Sequence, residues 1–331
     1  MKEREHSFDN AKAILIFMVV FGHLIEPLVL LDNRIKFIYM IIYSIHMPTF
    51  IFISGYFCKE SSNRLKKSVN LFLIYFIFQI IYIYFSSNIL NVDMQIQFKT
   101  PYWILWFLIA IAFYNIFIEF IEVDIFKFIG ITVIVIWISG ENKLGYDYSL
   151  ARIVYYLPFF LLGYVMNNNT FSYIRKIHVR ISIFILFIIM SYGIFKTISG
   201  SSIYWFYGSI GWKGFGVEEE LALRFRLYTY LASVIGILFI MAIMPRKKTF
   251  LSYIGNSTMA IYLIHGFIVK LAIHKEIYLN KPLGEAINIV FKLSIAIILF
   301  VIIIKYVYLT LNHIKNRIET QIKLKIEKIS V

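Results

Sequence analysis

Three histidines stand inside long apolar runs: His23 in FDNAKAILIFMVVFGHLIEP, His46 in IYSIHMPTFIFISGYF and His265 in GNSTMAIYLIHGF. Imidazole is the side chain whose ordinary pKa suits it to take up and return a proton near neutral pH. Ionisable groups at bilayer depth are costly, so their default reading is functional. Lys12 precedes His23 by 11 residues, close to three helical turns. The two therefore share a helix face, about 16 Å apart along the axis. Glu26 follows His23 by three residues and falls on the same face. The first run thus carries a column of cation, imidazole and carboxylate. Such a carboxylate either orients the ring and stabilises the imidazolium or keeps a pocket hydrated.

The elements that must hold these groups are membrane helices. The chain has 331 residues, 60% apolar, 18% aromatic and 16% charged, against about a quarter charged in ordinary soluble domains. Apolar runs long enough to cross a bilayer occur at 11–31, 37–58, 68–86, 103–121, 123–140, 150–166, 180–199, 227–245, 251–272 and 285–306. The first run is longer than a signal-peptide core and lacks a cleavage site, which makes it the first span. The division within 103–140 rests on Glu119, Glu122, Asp124 and Lys127 alone. The expected architecture is all-α: a polytopic membrane helix bundle of about ten transmembrane helices, with a single membrane domain over 1–311 and an amphipathic tail over 312–331. Basic clusters at Lys2/Arg4, Lys59/Arg64/Lys66/Lys67, Arg175/Lys176/Arg180, Arg246/Lys247/Lys248 and along the tail all fall on one side of a ten-span chain. The positive-inside rule then places both termini in the cytoplasm. It also accounts for the net charge of +14 without a nucleic-acid partner. Counting 1.5 Å per residue brings the three histidines to similar depth.

Other features read less sharply. Ser54 and Gly55, two turns inward of His46, fit close helix packing. Trp103 and Trp106 follow Pro101 where an interfacial aromatic belt is expected. Tyr204, Trp205, Tyr207 and Trp212 suit either sugar stacking or that belt. Glu218–Glu220 with Arg224 and Arg226 read as a solvated face. The single cysteine, Cys58, excludes an internal disulfide and reads as inert. Nothing in the histidine and carboxylate spacing requires a metal.

Lys12-x10-His23, preceded by Phe8-Asp9, resembles the Arg/Lys-x10-His motif that opens the acyltransferase-3 family of membrane acyltransferases. His46-Met47-Pro48-x-Phe50 with Ser54-Gly55-Tyr56 is similar to its second-helix signature. Arg64-Leu65-Lys66-Lys67 resembles its basic third-helix element. Trp106-Phe107-Leu108, then Leu157-Pro158-Phe159-Phe160-x-x-Gly163-Tyr164, then Gly255-Asn256-Ser257 with Tyr262 and His265 follow in family order. The resemblance covers nearly the whole chain and is greatest to the fucose 4-O-acetylase-like branch of sugar O-acetyltransferases, in stand-alone form. Lys12 stands where the family usually has arginine, and Lys67 replaces the second arginine of its element. Charge is kept, but bidentate phosphate binding is not.

The resemblance implies a multi-pass enzyme of the cell membrane that moves an acetyl group from cytoplasmic acetyl-CoA to a hydroxyl of an envelope or exported sugar. Its partners would be the lipid bilayer, the acyl-CoA substrate and a carbohydrate acceptor, with no permanently bound cofactor. Lys12, Arg64 and Lys67 would meet the nucleotide phosphates. His23 would be the base, with Glu26 behind it. His46 and His265 would donate to the thioester oxygen or hydrogen-bond across helices, with Ser54 and Trp106 in support. Direct transfer and an acyl-histidine relay both remain open. A proton-coupled carrier or flippase is the alternative, although no internal repeat of the transporter kind is visible. A non-catalytic relative in a glycan assembly complex is a third reading.

Overall fold

In the computed structural model, residues 6–141, 145–198 and 202–329 are described, with side chains through 313 and at 316. Among them the regular elements are helical. They are α1 (His6–Ile25), α2 (Asn33–Cys58), α3 (Arg64–Asn88), α4 (Trp106–Phe120), α5 (Ile125–Ile138), α6 (Leu150–Val165), α7 (Asn168–Ile174), α8 (Ile177–Lys196), α9 (Glu219–Ile243), α10 (Phe250–Gly255), α11 (Thr258–His274) and α12 (Leu283–Ile329). Among the described residues, eight helical segments are long and apolar enough to cross a membrane, including α1 through Leu28, α2, α3 and α12 through His313. Two shorter apolar helices, α5 and α11, occupy the two remaining expected positions. The chain is a multi-pass membrane protein.

Local chemistry sets the boundaries. Asp32 caps α2 by accepting from the Arg34 backbone N–H at 2.6 Å. The Arg34 side chain hydrogen-bonded to it holds its carboxyl down at about 2. Asp124 starts α5 in the same way, accepting from Lys127 N at 2.8 Å, so the doubtful division within 103–140 falls at 121–124. The run expected over 251–272 is two helices rather than one, broken at Asn256-Ser257. The carbonyl of Asn256 freed by the break accepts from Lys305 Nζ at 2.9 Å. α12 runs on without interruption beyond the expected end of the last span. The amphipathic reading of the tail, and the basic clusters at Lys2/Arg4 and Lys315–Lys328, fall outside the described side chains.

α2 is the central element, with most of its length buried, whereas α8 turns most of its surface outward. α2 and α6 approach closely. A Cβ on Gly55 would lie 2.0 Å from the Phe160 carbonyl oxygen, and one on Gly163 would lie 2.0 Å from that of Phe52. Only glycine permits that contact. α1 packs along α2 and against α10–α12, so its His23 end faces the interior of the bundle.

Candidate active site

α1 ends at Ile25, and the chain tightens into a 3-10 turn over Glu26–Leu28 with Pro27 inside it. That turn swings the Glu26 carboxylate back over the preceding turn of helix. Its Oε2 lies 3.4 Å from His23 Nδ1, so a proton on Nδ1 is held toward the carboxylate. Nε2 then carries the lone pair. The other carboxylate oxygen accepts from Tyr207 Oη at 3.4 Å, and Tyr207 pairs with the Tyr39 hydroxyl at 2.5 Å. Burial, then the nearby Glu26 charge, push the Tyr207 phenol well above its ordinary range. It therefore remains a neutral donor. The Trp103 ring packs 4.4 Å from His23, and Trp103 itself adopts a left-handed φ of +36°. Backbone strain of that kind, of order 1–3 kcal/mol, is held in place by surrounding structure.

His46 joins His23 in the wall of one chamber of about 470 Å³, together with Glu26, Trp106, Arg152, Tyr204 and Tyr207 among others. His46 Nδ1 is 2.6 Å from the Ile42 carbonyl. A carbonyl only accepts, so Nδ1 carries the hydrogen and Nε2 is an acceptor in the neutral ring. His265 is held likewise by the Ile261 carbonyl at 3.0 Å. It does not line the chamber but stacks behind His23, centroid to centroid 5.7 Å. Neither neutral ring can donate from Nε2 to a thioester oxygen, so that role requires an imidazolium.

Of the cations marked by the sequence, Lys12 and Lys67 line two further cavities, and Arg64 lines neither. Lys12 and Ser54 line a second cavity that shares Val19, Met47 and Tyr262 with the chamber. Ser54 also lines a third, with Lys67, Cys58 and Asn115. Lys67, Lys12 and His23 thus lie along a row of three adjacent cavities with common walls. Lys12 is ion-paired to Asp9 at 2.8 Å. Arg64 bonds the Cys58 and Lys59 carbonyls and Glu119 at 3.1–3.3 Å, which employs part of its five-donor fork. Ser54 and Gly55 thus part company: one lines the cavities and the other packs helices. Cys58 is buried, with its thiol on Asn115 Oδ1.

The aromatic segment over 204–212 also divides. Tyr204 and Tyr207 line the chamber, whereas Trp205 and Trp212 are buried in a separate cluster with Ala222. The Glu220–Arg224 pair is exposed, but Arg226 is buried on the Trp205 and Ile210 carbonyls. Arg152 and the pairing of Tyr207 with Glu26 escaped the sequence reading. The only signal for Arg152 was a charge at the start of an apolar run.

A helical membrane bundle with a half-buried imidazole–carboxylate pair at the head of an internal row of cavities defines the class of protein. The acyltransferase-3 family profile, an acyltransferase domain, matches residues 5–307, and the chain belongs to that family. No curated protein and no solved structure matches it.

Proposed function

We propose that the protein transfers an acetyl group from cytoplasmic acetyl-CoA to a hydroxyl of a cell-envelope or exported sugar, in the manner of fucose 4-O-acetylase-like enzymes. The observation that carries this reading is the row of cavities from Lys67 and Lys12 to the His23–Glu26 pair. With ten spans and both termini in the cytoplasm, the lysine end opens inward and the chamber outward. Lys12 and Lys67, with the remaining donors of Arg64, meet the nucleotide phosphates. The thioester arm extends along the apolar walls. His23 Nε2 takes the proton from the acceptor hydroxyl as its oxygen attacks the thioester carbonyl. The C–S bond breaks, and the imidazolium returns its proton to the departing thiolate. Glu26 stabilises the imidazolium in between, and Tyr207 holds Glu26.

A proton-coupled carrier would use intramembrane histidines too, but it has no need for an oriented imidazole–carboxylate pair beside a cation-lined entry. The test compares envelope glycans by mass in cells expressing wild-type protein or His23→Ala. The expected result is loss of the acetyl increment in the variant. Unchanged acetylation would sink the reading, and movement of intact substrate across vesicles without thioester consumption would favour the carrier.

A further inference from the structure

Arg152, in the first turn of α6, lines the chamber that holds His23, Glu26 and His46. Its guanidinium lies 5.3 Å from the Trp106 ring centroid and 5.4 Å from that of Tyr146. Among the described residues it has no ion pair and no hydrogen-bond acceptor. Glu26, in the same lining, is engaged with His23 and Tyr207, and Asp147, five residues before Arg152, with Lys99 at 2.8 Å. Aromatic faces attract a cation, but they give the planar donor fork nothing to bond at its edge. A cation in a first helical turn also opposes the helix dipole. Both features are relieved by an oxyanion in the chamber. The phosphates of the donor are met at the other end of the path by Lys12 and Lys67, so this oxyanion belongs to the acceptor.

We propose that the acceptor is an acidic sugar, whose carboxylate or phosphate is gripped by Arg152 while a hydroxyl of the same or the adjoining ring faces His23. The proposal rests on the acyl-transfer reading of this chamber and adds the class of its acceptor. Trp106 is taken up by Tyr156, stacked on it at 5.0 Å, and by Arg152, whereas Tyr204, exposed in the same lining, offers an apolar face for the sugar. Glu26 keeps its negative charge while hydrogen-bonded to His23 and Tyr207, and Arg152 offsets it for such a ligand.

The test titrates purified full-length protein with methyl glucuronide, glucose 6-phosphate, inorganic phosphate and neutral methyl glucoside, following tryptophan fluorescence. Both acidic sugars are expected to bind at least tenfold more tightly than the glucoside, and inorganic phosphate more weakly than the sugar phosphate. The stronger of the two acidic sugars identifies the oxyanion. Arg152→Gln should abolish the preference, and Arg152→Lys should keep part of it by charge without the fork. If the glutamine variant fails to fold, the reduced preference of the lysine variant decides. Equal binding of the glucoside, a preference that survives Arg152→Gln, or no sugar binding at all overturns the proposal. So does a uniform fall in turnover with unchanged Kd for every sugar, which would place Arg152 on the reacting acyl oxygen. Labelled acetyl-CoA run in parallel separates the two readings. No transfer to any acceptor, with the acidic preference intact, removes the donor assignment and leaves the acidic ligand standing.

Discussion

His23 Nδ1 and Glu26 Oε2 face each other at 3.4 Å across the point where α1 tightens into a 3-10 turn. The turn matters because it holds the carboxylate against one ring nitrogen and leaves the lone pair on the other. Tyr207 and Tyr39 continue the chain of hydrogen bonds. The pair is local in sequence, but its environment is assembled from distant helices.

His23→Ala is expected to lower acetyl transfer by roughly 10²- to 10⁴-fold, the usual reach of a positioned acid–base group. Glu26→Gln keeps an acceptor for Nδ1–H but removes the charge that stabilises the imidazolium. Its loss should be smaller, about tenfold or about 1.4 kcal/mol of barrier, with KM for acetyl-CoA unchanged. Steady-state kinetics on the purified protein would check both, and a wild-type rate in Glu26→Gln would show that the carboxylate only hydrates the pocket.

Lys67 and Arg64 should separate in their effects. Lys67 is exposed on the path wall, and Lys67→Ala should raise KM for acetyl-CoA about tenfold, about 1.4 kcal/mol of binding, without changing the melting temperature. Added salt should move the wild-type KM toward that of the variant. Arg64→Ala also removes a part-buried hydrogen bond to the Cys58 carbonyl, about 0.5–1.5 kcal/mol, and two exposed contacts to Glu119 and Lys59 of little weight, so it should lower the melting temperature as well. Equal melting of the two variants would contradict this division.

Tyr207 gives a pH prediction. Its phenol is pushed up by burial and by Glu26, so the neutral, donating form persists above the pH at which a free tyrosine ionises. Tyr207→Phe should lower kcat severalfold, consistent with about 1 kcal/mol for one hydrogen bond. It should leave the alkaline limb of the pH–rate profile unmoved up to about pH 10, the ordinary tyrosine value. A shifted alkaline limb in the variant would mean that Tyr207 does titrate there.

Gly163→Ala drives a methyl group into the Phe52 carbonyl, a contact between backbones that no side-chain rotation relieves. A destabilisation of about 1–3 kcal/mol is expected, read as a lower melting temperature in detergent. Gly284→Ala, where an added Cβ meets nothing within 4 Å, serves as the control. Similar melting of the two would show that α2 and α6 can part at little cost.

Much of the site was legible because it is local. Lys12 and His23 lie on α1, where helical geometry puts them on one face, and Glu26 follows three residues on in the 3-10 turn. The motifs at His46, Ser54, Arg64, Lys67, Trp106 and His265 marked residues near the path, though not their parts in it. The tyrosines and tryptophans over 204–212 were not separable, since both kinds suit an interface equally well. Packing sends Tyr204 and Tyr207 into the chamber and Trp205 and Trp212 into a core of their own.

The sequence by itself determined a helical membrane protein of the acyltransferase-3 kind, because apolar run length, loop charge and motif order do not depend on how the helices pack. Tertiary structure alone decided that His23 and His46 share a chamber while His265 stacks behind, which ring nitrogen each backbone carbonyl holds, and that Arg152 faces the same space. In a span that is apolar all round, no periodicity tells a lipid-facing side from a bundle-facing one. Close packing between helices far apart in the chain makes that choice, as the Gly55–Phe160 and Gly163–Phe52 contacts do for α2 and α6.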